Sequence, residues 1–419
     1  MRLHIKNARV IDPASGKDGA GEIFVADGKI LKEISKADRV LDAKGLVVAP
    51  GFIDLSARLR EPGYEYKATL ESEMDAAVAG GVTSLACPPD TDPPLDEPGL
   101  VDMLRRRAKA LSRARVYPIG ALTLKLAGES LTEMGQLSDA GCIAFSQANA
   151  PLPDTQVLWR ALQYAATFGY PVWLRAEDAG LAKGGVAHDG EIATRLGLPG
   201  IPPFAETIAL ATILELVRAT RARVHICRLS TAGAVELMRR AKEEKLPVTC
   251  DVGVHHAHLC ELDLGYFDPQ CRLEPPLRSQ RDRDALARAL AEGVVDCLCS
   301  DHTPVDEDGK HLPFAQAEPG ATGLELLLPL TLKWGQAQKQ SLAATLARIT
   351  SEPARVLGVA SGRLAAGAPA DLVIFDPAAP FTVAAANLKS QGKNTPFLGT
   401  ELVGRVRCTI VDGKVVYES

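Results

Sequence analysis

Gly51-Phe-Ile-Asp-Leu-Ser-Ala-Arg-Leu-Arg-Glu-Pro-Gly63 is the stretch from which the fold can be read. An apolar run, Gly45-Leu-Val-Val-Ala-Pro50, leads into it and reads as a buried β-strand. The Pro-Gly pair at its end marks a turn. A strand that empties into a loop carrying Asp54, Ser56, Arg58, Arg60 and Glu61 delivers polar side chains to one place.

Outward from this stretch, the middle of the chain alternates strand and helix patterns. Strands are expected at 82–88, 115–122, 141–147, 171–177, 223–230, 247–254 and 294–301, and with the strand before Asp54 they make eight. Amphipathic helices are expected at 70–79, 98–111, 155–168, 205–219, 231–244 and 281–292, with a further helical segment over 340–357. Eight parallel strands with intervening helices predict a closed (β/α)₈ barrel, whose chemistry sits on the loops after the strands. An open doubly wound sheet is the alternative, but no GxGxxG follows the first strand.

The ends of the chain read differently. Residues 2–11, 21–26 and 29–32 form short alternating segments, and strand-and-turn patterns return after residue 360, at 361–376 and 405–417. These predict an α/β architecture in which residues 51–359 form the barrel. Residues 1–50 and 360–419 join as a small composite β-sandwich.

The 419 residues are 46% hydrophobic and 24% charged, which excludes a dominant disordered region. A net charge of −5 argues against a nucleic-acid partner. No apolar run reaches the length of a membrane span, and the first residues alternate as a strand does, so a cytoplasmic protein is expected. The nine cysteines are scattered without a CxxC pair, which predicts reduced, buried thiols.

The chain resembles the dihydroorotases of the cyclic amidohydrolase superfamily across nearly its whole length. The resemblance is carried by the opening stretch together with Pro88-Pro-Asp-Thr-Asp-Pro93, Ala144-Phe-Ser146, Ala176-Glu-Asp178, His225-Ile-Cys-Arg-Leu-Ser-Thr231 and Val254-His-His256. Pro275-Pro-Leu-Arg278, Ser300-Asp-His-Thr-Pro304, Gly320-Ala-Thr-Gly-Leu-Glu325 and Lys393-Asn-Thr-Pro-Phe-Leu-Gly399 continue it in order. It implies a barrel whose mouth holds metal on histidines and a carboxylate, with an aspartate carrying protons during hydrolysis of a cyclic amide.

The implied ligand positions carry other residues here. The two histidines of the first strand are Ser56 and Arg58, the bridging acid is Gln147 (its neighbour Ala148 offers no carboxylate either), and two further histidines are Arg175 and Arg228. The proton-carrying aspartate remains, as Asp301. Arginine stays protonated and has no lone pair to offer a metal. Arg60 stands at the position of the substrate-binding arginine, while two asparagines of that pocket are Asp90 and Glu274. No metal or other cofactor is therefore expected at the mouth, and the arginines and acids are expected to pair with one another.

His255, His256 and His258, with Cys260 nearby, form an alternative cluster for a relocated metal; zinc belongs only with an enzyme that is still active. His225 and His302 are expected to be hydrogen-bonded structural residues. Within the long 303–320 loop, whose order the sequence leaves open, the segment Asp306-Glu-Asp-Gly-Lys310 reads as a solvated turn.

Within the family, this pattern resembles the inactive dihydroorotase-like proteins of some bacteria. The resemblance implies a pseudoenzyme in pyrimidine biosynthesis, a non-catalytic subunit that assembles with the catalytic chain of aspartate carbamoyltransferase and also self-associates. Two rival readings are an active cyclic amidohydrolase with an altered or absent metal site and a regulatory protein that binds a ligand in an arginine-lined mouth.

Overall fold

The computed structural model describes residues 2–419. Eight parallel strands form the barrel sheet: β1 (Phe52–Asp54), β2 (Val82–Cys87), β3 (Arg115–Ala121), β4 (Ala144–Ser146), β5 (Val172–Leu174), β6 (Val224–Ile226), β7 (Val248–Gly253) and β8 (Cys297–Cys299). They are neighbours in sequence order. The barrel closes just beyond the ends of β1 and β8, where the Arg58 amide donates to the His302 carbonyl at 2.9 Å and the His302 amide to the Ser56 carbonyl at 3.0 Å. Asp54 reinforces this seam by accepting the Ser300 amide at 2.8 Å. Burial pushes the Asp54 carboxyl up to about 6, against the opposing pull of its Ser300 hydrogen bonds.

The six helices expected between the strands are present, among them α1 (Leu70–Ala79) and α2 (Thr155–Phe168). Their boundaries have local causes. Thr69 caps α1 by accepting the Ser72 amide, and α2 ends at Gly169, whose φ of 73° is the left-handed conformation glycine adopts without strain. The expected single helical stretch 340–357 is instead two helices, Leu342–Ala347 and Ser351–Leu357. Pro353 has no amide hydrogen to continue the first ladder, and a restart at Ser351 places it in a first turn, where none is needed.

The two chain ends build one mixed sheet of eight strands. Leu3–Asp12 pairs along one edge with Lys17–Ala26 and along the other with Arg39–Asp42 and then Val47–Pro50. Val47–Pro50 pairs in turn with Leu372–Thr382. The sheet curls so that Ile30 and Ile410, from opposite ends of its order, share one core with Leu3, Ile5, Val48 and Ile374. Its other face packs on the barrel, where the Phe52 and Phe375 rings lie 6.0 Å apart.

The run 45–50 therefore does not continue into the barrel as one strand: Val47–Pro50 belongs to the terminal sheet, and the chain changes sheets at Gly51. A Cβ there would overlap the Thr83 side chain, so the crossing demands glycine. Gly63 closes the stretch with φ 98°, and a Cβ at that position would strike the Asp92 backbone.

The 303–320 segment is a structured cover, and the solvated turn expected at 306–310 is instead a short helix, Glu307–His311, with Gly309 and Lys310 buried. The Lys310 Nζ donates to the carbonyls of Pro269 at 3.0 Å and Arg272 at 3.3 Å. The Asn394 side chain ties the segment down, donating to the Thr303 and Gly320 carbonyls and accepting the Val305 amide. Sequence pattern could not reveal this, because the carbonyls that hold Lys310 come from a loop some forty residues away.

Burial depresses the Lys310 ammonium to about 7 from its ordinary 10.5. The unfolded chain therefore binds the extra proton between pH 7 and 10.5, and stability should rise with pH across that window. Chemical denaturation at pH 7 and 9 tests this. The gain seen in the parent should shrink in Lys310→Met by an amount on the order of 1 kcal/mol per pH unit.

Candidate functional site at the barrel mouth

The positions singled out in the sequence converge at the C-terminal ends of the barrel strands. Arg58 and Arg228, 6% and 4% exposed, both reach Asp301 Oδ1, at 3.6 and 3.0 Å. Ser56 Oγ lies 3.5 Å from the same oxygen. Arg58 also pairs with Asp90, Nε to Oδ2 2.7 Å, and donates to Thr303 Oγ1 at 3.0 Å. Arg175 pairs with Glu177 and Glu274, and Arg228 donates to Asn149 and to the Glu274 carbonyl.

Four guanidiniums (Arg58, Arg60, Arg175, Arg228) thus face four carboxylates (Asp90, Glu177, Glu274, Asp301). The balance matters because unpaired buried ions cost several kcal/mol each. Burial pushes the Asp90 and Glu274 carboxyls up, but the neighbouring charges of Arg58 and Arg175 outweigh it and hold both below the ordinary range. Burial works against the Arg228 charge too, yet Asp301 more than restores it.

Arg60 differs from the other three. Its Nε donates to the Pro304 carbonyl at 2.8 Å, no carboxylate pairs with it among the described residues, and burial together with Arg58 pulls its pKa down.

Gln147 turns away from the cluster: its Oε1 accepts from Thr123 at 2.9 Å and its Nε2 donates to the Leu126 carbonyl at 2.8 Å. The space between Ser56, Arg58, Ser146, Arg175 and Arg228 shrinks to about 20 Å³, room for about one water. A larger space of about 170 Å³ lies above it, lined by Arg58, Arg60, Asp90, Asn149, Glu274, Thr303 and Glu318. Arg60, Ala148, Arg228 and Asp301 all have positive φ, between 47° and 61°. Strained backbone of this kind collects at functional sites, and here it persists beneath altered side chains.

A divalent cation does not fit this donor set. Three positions offer guanidinium, the glutamine amide is spent on its own loop, and Ser56 supplies one hydroxyl. The relocated cluster does not form either, because its rings point to separate partners. His256 Nε2 lies 3.0 Å from the Pro275 carbonyl and His258 Nε2 2.8 Å from the Leu330 carbonyl, while His255 stacks on Phe397. Burial drives His255 and His258 down to about 4 and lowers His256, so all three are neutral packing residues at neutral pH. His302 bonds Glu73 and His225 bonds Asp251.

Sequence reading missed three partners, Glu177, Asn149 and Thr303, and the Lys67–Glu318 pair at the rim. Glu177 sits inside a quoted motif, yet only the fold shows that it turns toward Arg175.

The barrel with its curled terminal sheet is an amidohydrolase-type fold. The L-hydantoinase (dihydropyrimidinase) from Arthrobacter aurescens superposes with a TM-score of 0.87 at 25% identity, over 99% of this chain and 96% of that one. A D-hydantoinase superposes at 0.84 with 22% identity, over 100% and 96%. The amidohydrolase family profile matches residues 186–417 and the dihydro-orotase-like profile residues 45–234.

A dihydroorotase-like protein of Pseudomonas aeruginosa is 46% identical over the full length of both chains. One from Pseudomonas putida is 44% identical, covering 100% of this chain and 99% of its own. A dihydroorotase of Syntrophotalea carbinolica is 40% identical with the same coverage. The chain belongs to the amidohydrolase family, on its dihydroorotase-like branch. No helix is long and apolar enough to cross a membrane among the described residues.

Proposed function

We propose that this is a non-catalytic dihydroorotase-like protein, a structural subunit that assembles with the catalytic chain of aspartate carbamoyltransferase in pyrimidine biosynthesis. The observation that carries the loss of catalysis is the pair of guanidiniums on Asp301. The oxygen that would carry protons is held by Arg58 and Arg228, and no donor set for a water-activating metal surrounds it. The intact barrel, seam and cover around this plug support a retained role for the fold itself. The transferase as partner, self-association and a cytoplasmic setting rest on the resemblance to inactive relatives.

The second reading, an active cyclic amidohydrolase, is favoured by one observation: relatives 39–41% identical over nearly the whole chain carry the name dihydroorotase. Co-expression with the transferase chain tests the first reading. The expected result is co-purification in one large complex, with transferase activity that falls when this chain is omitted. A transferase equally active and equally assembled without it would overturn the assembly role.

A further inference from the structure

Asp251 lies on β7 beneath the guanidinium network and is 1% exposed. A carboxylate so placed needs a counter-charge. No lysine or arginine side chain comes within ion-pair distance of it among the described residues; its partner is His225, Nε2 to Oδ2 2.9 Å. Its Oδ1 accepts the Arg228 amide at 2.7 Å and lies 3.5 Å from Cys299 Sγ. The far ring nitrogen of His225, Nδ1, is 2.8 Å from Thr249 Oγ1.

Cys227 completes the group. Its sulfur, an imidazole nitrogen of His225 and a carboxylate oxygen of Asp251 all lie within 4.8 Å of one another, a convergence found nowhere else among the described residues. Cys227 also borders the 20 Å³ void.

We propose that His225, Cys227 and Asp251, with Cys299 beside them, form a buried structural site for a thiophilic divalent cation of the zinc type. One imidazole, one thiolate and one carboxylate are donors that such an ion takes, and the two anions cancel its charge inside the barrel. Thr249 supplies the outer hydrogen bond that fixes a ligating imidazole, accepting the ring proton at Nδ1 and leaving the Nε2 lone pair toward the ion. Binding forms metal–nitrogen, metal–oxygen and metal–sulfur bonds; the imidazole proton that Nε2 donates to Asp251 moves to Nδ1, where Thr249 accepts it, and the Cys227 S–H bond breaks, its proton leaving to solvent. Burial raises the thiol well above its ordinary pKa, so the thiolate forms with the cation and not before it.

Metal–ligand distances of about 2.0–2.1 Å place tetrahedral nitrogen and oxygen roughly 3.3 Å apart, so the His225–Asp251 contact opens by a few tenths of an ångström. His225 and Asp251 are buried and Cys227 only partly so, facing the small void, and the ion enters during folding. The site lies below the mouth and does not depend on the assembly role.

The test uses the full chain, expressed with supplemented zinc and purified without chelator or histidine tag. The expected result is close to one zinc per chain. Cobalt in its place should give a sulfur-to-metal charge-transfer band, and metal-coupled refolding should release about one thiol proton per ion. Cys227→Ser should abolish the band, and His225→Gln should cut metal affinity at least roughly tenfold. Circular dichroism of both variants separates lost metal from lost fold. A folded parent chain that carries only substoichiometric zinc and gives no cobalt band would overturn the proposal and leave a proton between His225 and Asp251. Undiminished metal in both variants would overturn it as well.

Discussion

Arg228→Met should lower the unfolding free energy by about 3–5 kcal/mol, the cost of leaving a buried ion without its partner. The guanidinium is 4% exposed and holds Asp301 at 3.0 Å, Asn149 and the Glu274 carbonyl together. Methionine keeps much of the volume and removes every donor. Asp301 is then left with Arg58 at 3.6 Å, a longer contact that Arg58 already divides with Asp90. Urea titrations of the parent, Arg228→Met, Asp301→Asn and the double variant form a cycle. The double variant should lose less than the sum of the singles by about 0.5–3 kcal/mol, because each single strands the other's partner. Strict additivity would mean that the two groups do not stabilise one another, and the mouth would not be the interlocked plug described above.

Glu73→Ala is the second large effect, about 3–5 kcal/mol, because it leaves His302, the Ser390 hydroxyl and the Gln391 amide without their acceptor. Glu73 and His302 are both 0% exposed, joined at 2.6 Å through Oε2 and Nε2. The Gly323 amide donates to His302 Nδ1 at 3.1 Å, so the ring proton lies on Nε2 and is donated to the carboxylate. Glu73 also accepts the Ser390 hydroxyl at 2.7 Å and the Gln391 amide at 2.9 Å. One carboxylate therefore joins α1, the end of β8 and the segment that leads to Asn394.

Burial pushes Glu73 up, but the hydrogen bonds from His302, Ser390 and Ser72 outweigh it, and the carboxyl is held below its ordinary 4.5. Its stabilisation is therefore complete above pH 4.5 and fades as the pH falls through the lower folded value. In Glu73→Gln that acid limb should flatten. Denaturant midpoints taken from pH 7 downward measure both effects.

The barrel could be read because each strand is an apolar run followed by polar residues, and the helices between carry a 3.6-residue period. The change of sheets at Gly51 could not. Val47–Pro50 and Phe52–Ile53 are equally apolar, and which sheet receives each is decided by packing against Thr83 and Phe375. The replaced positions at the mouth were visible by resemblance, residue by residue. Their partners were not, because Arg175 chooses among Glu177 and Glu274 through side-chain reach, which no spacing encodes. The His255–His256–His258 run shows the opposite error. Close spacing invited a shared ion, but the short helical turn Val254–Ala257 and the residue after it aim the rings at separate partners.

Turnover of dihydroorotate by the purified full chain, measured with added zinc in both the hydrolytic and the ring-closing directions, tests the central claim most directly. The guanidinium plug on Asp301 predicts no rate above the uncatalysed reaction. Saturable turnover that disappears in Asp301→Asn would contradict it and return this chain to the enzymes it resembles.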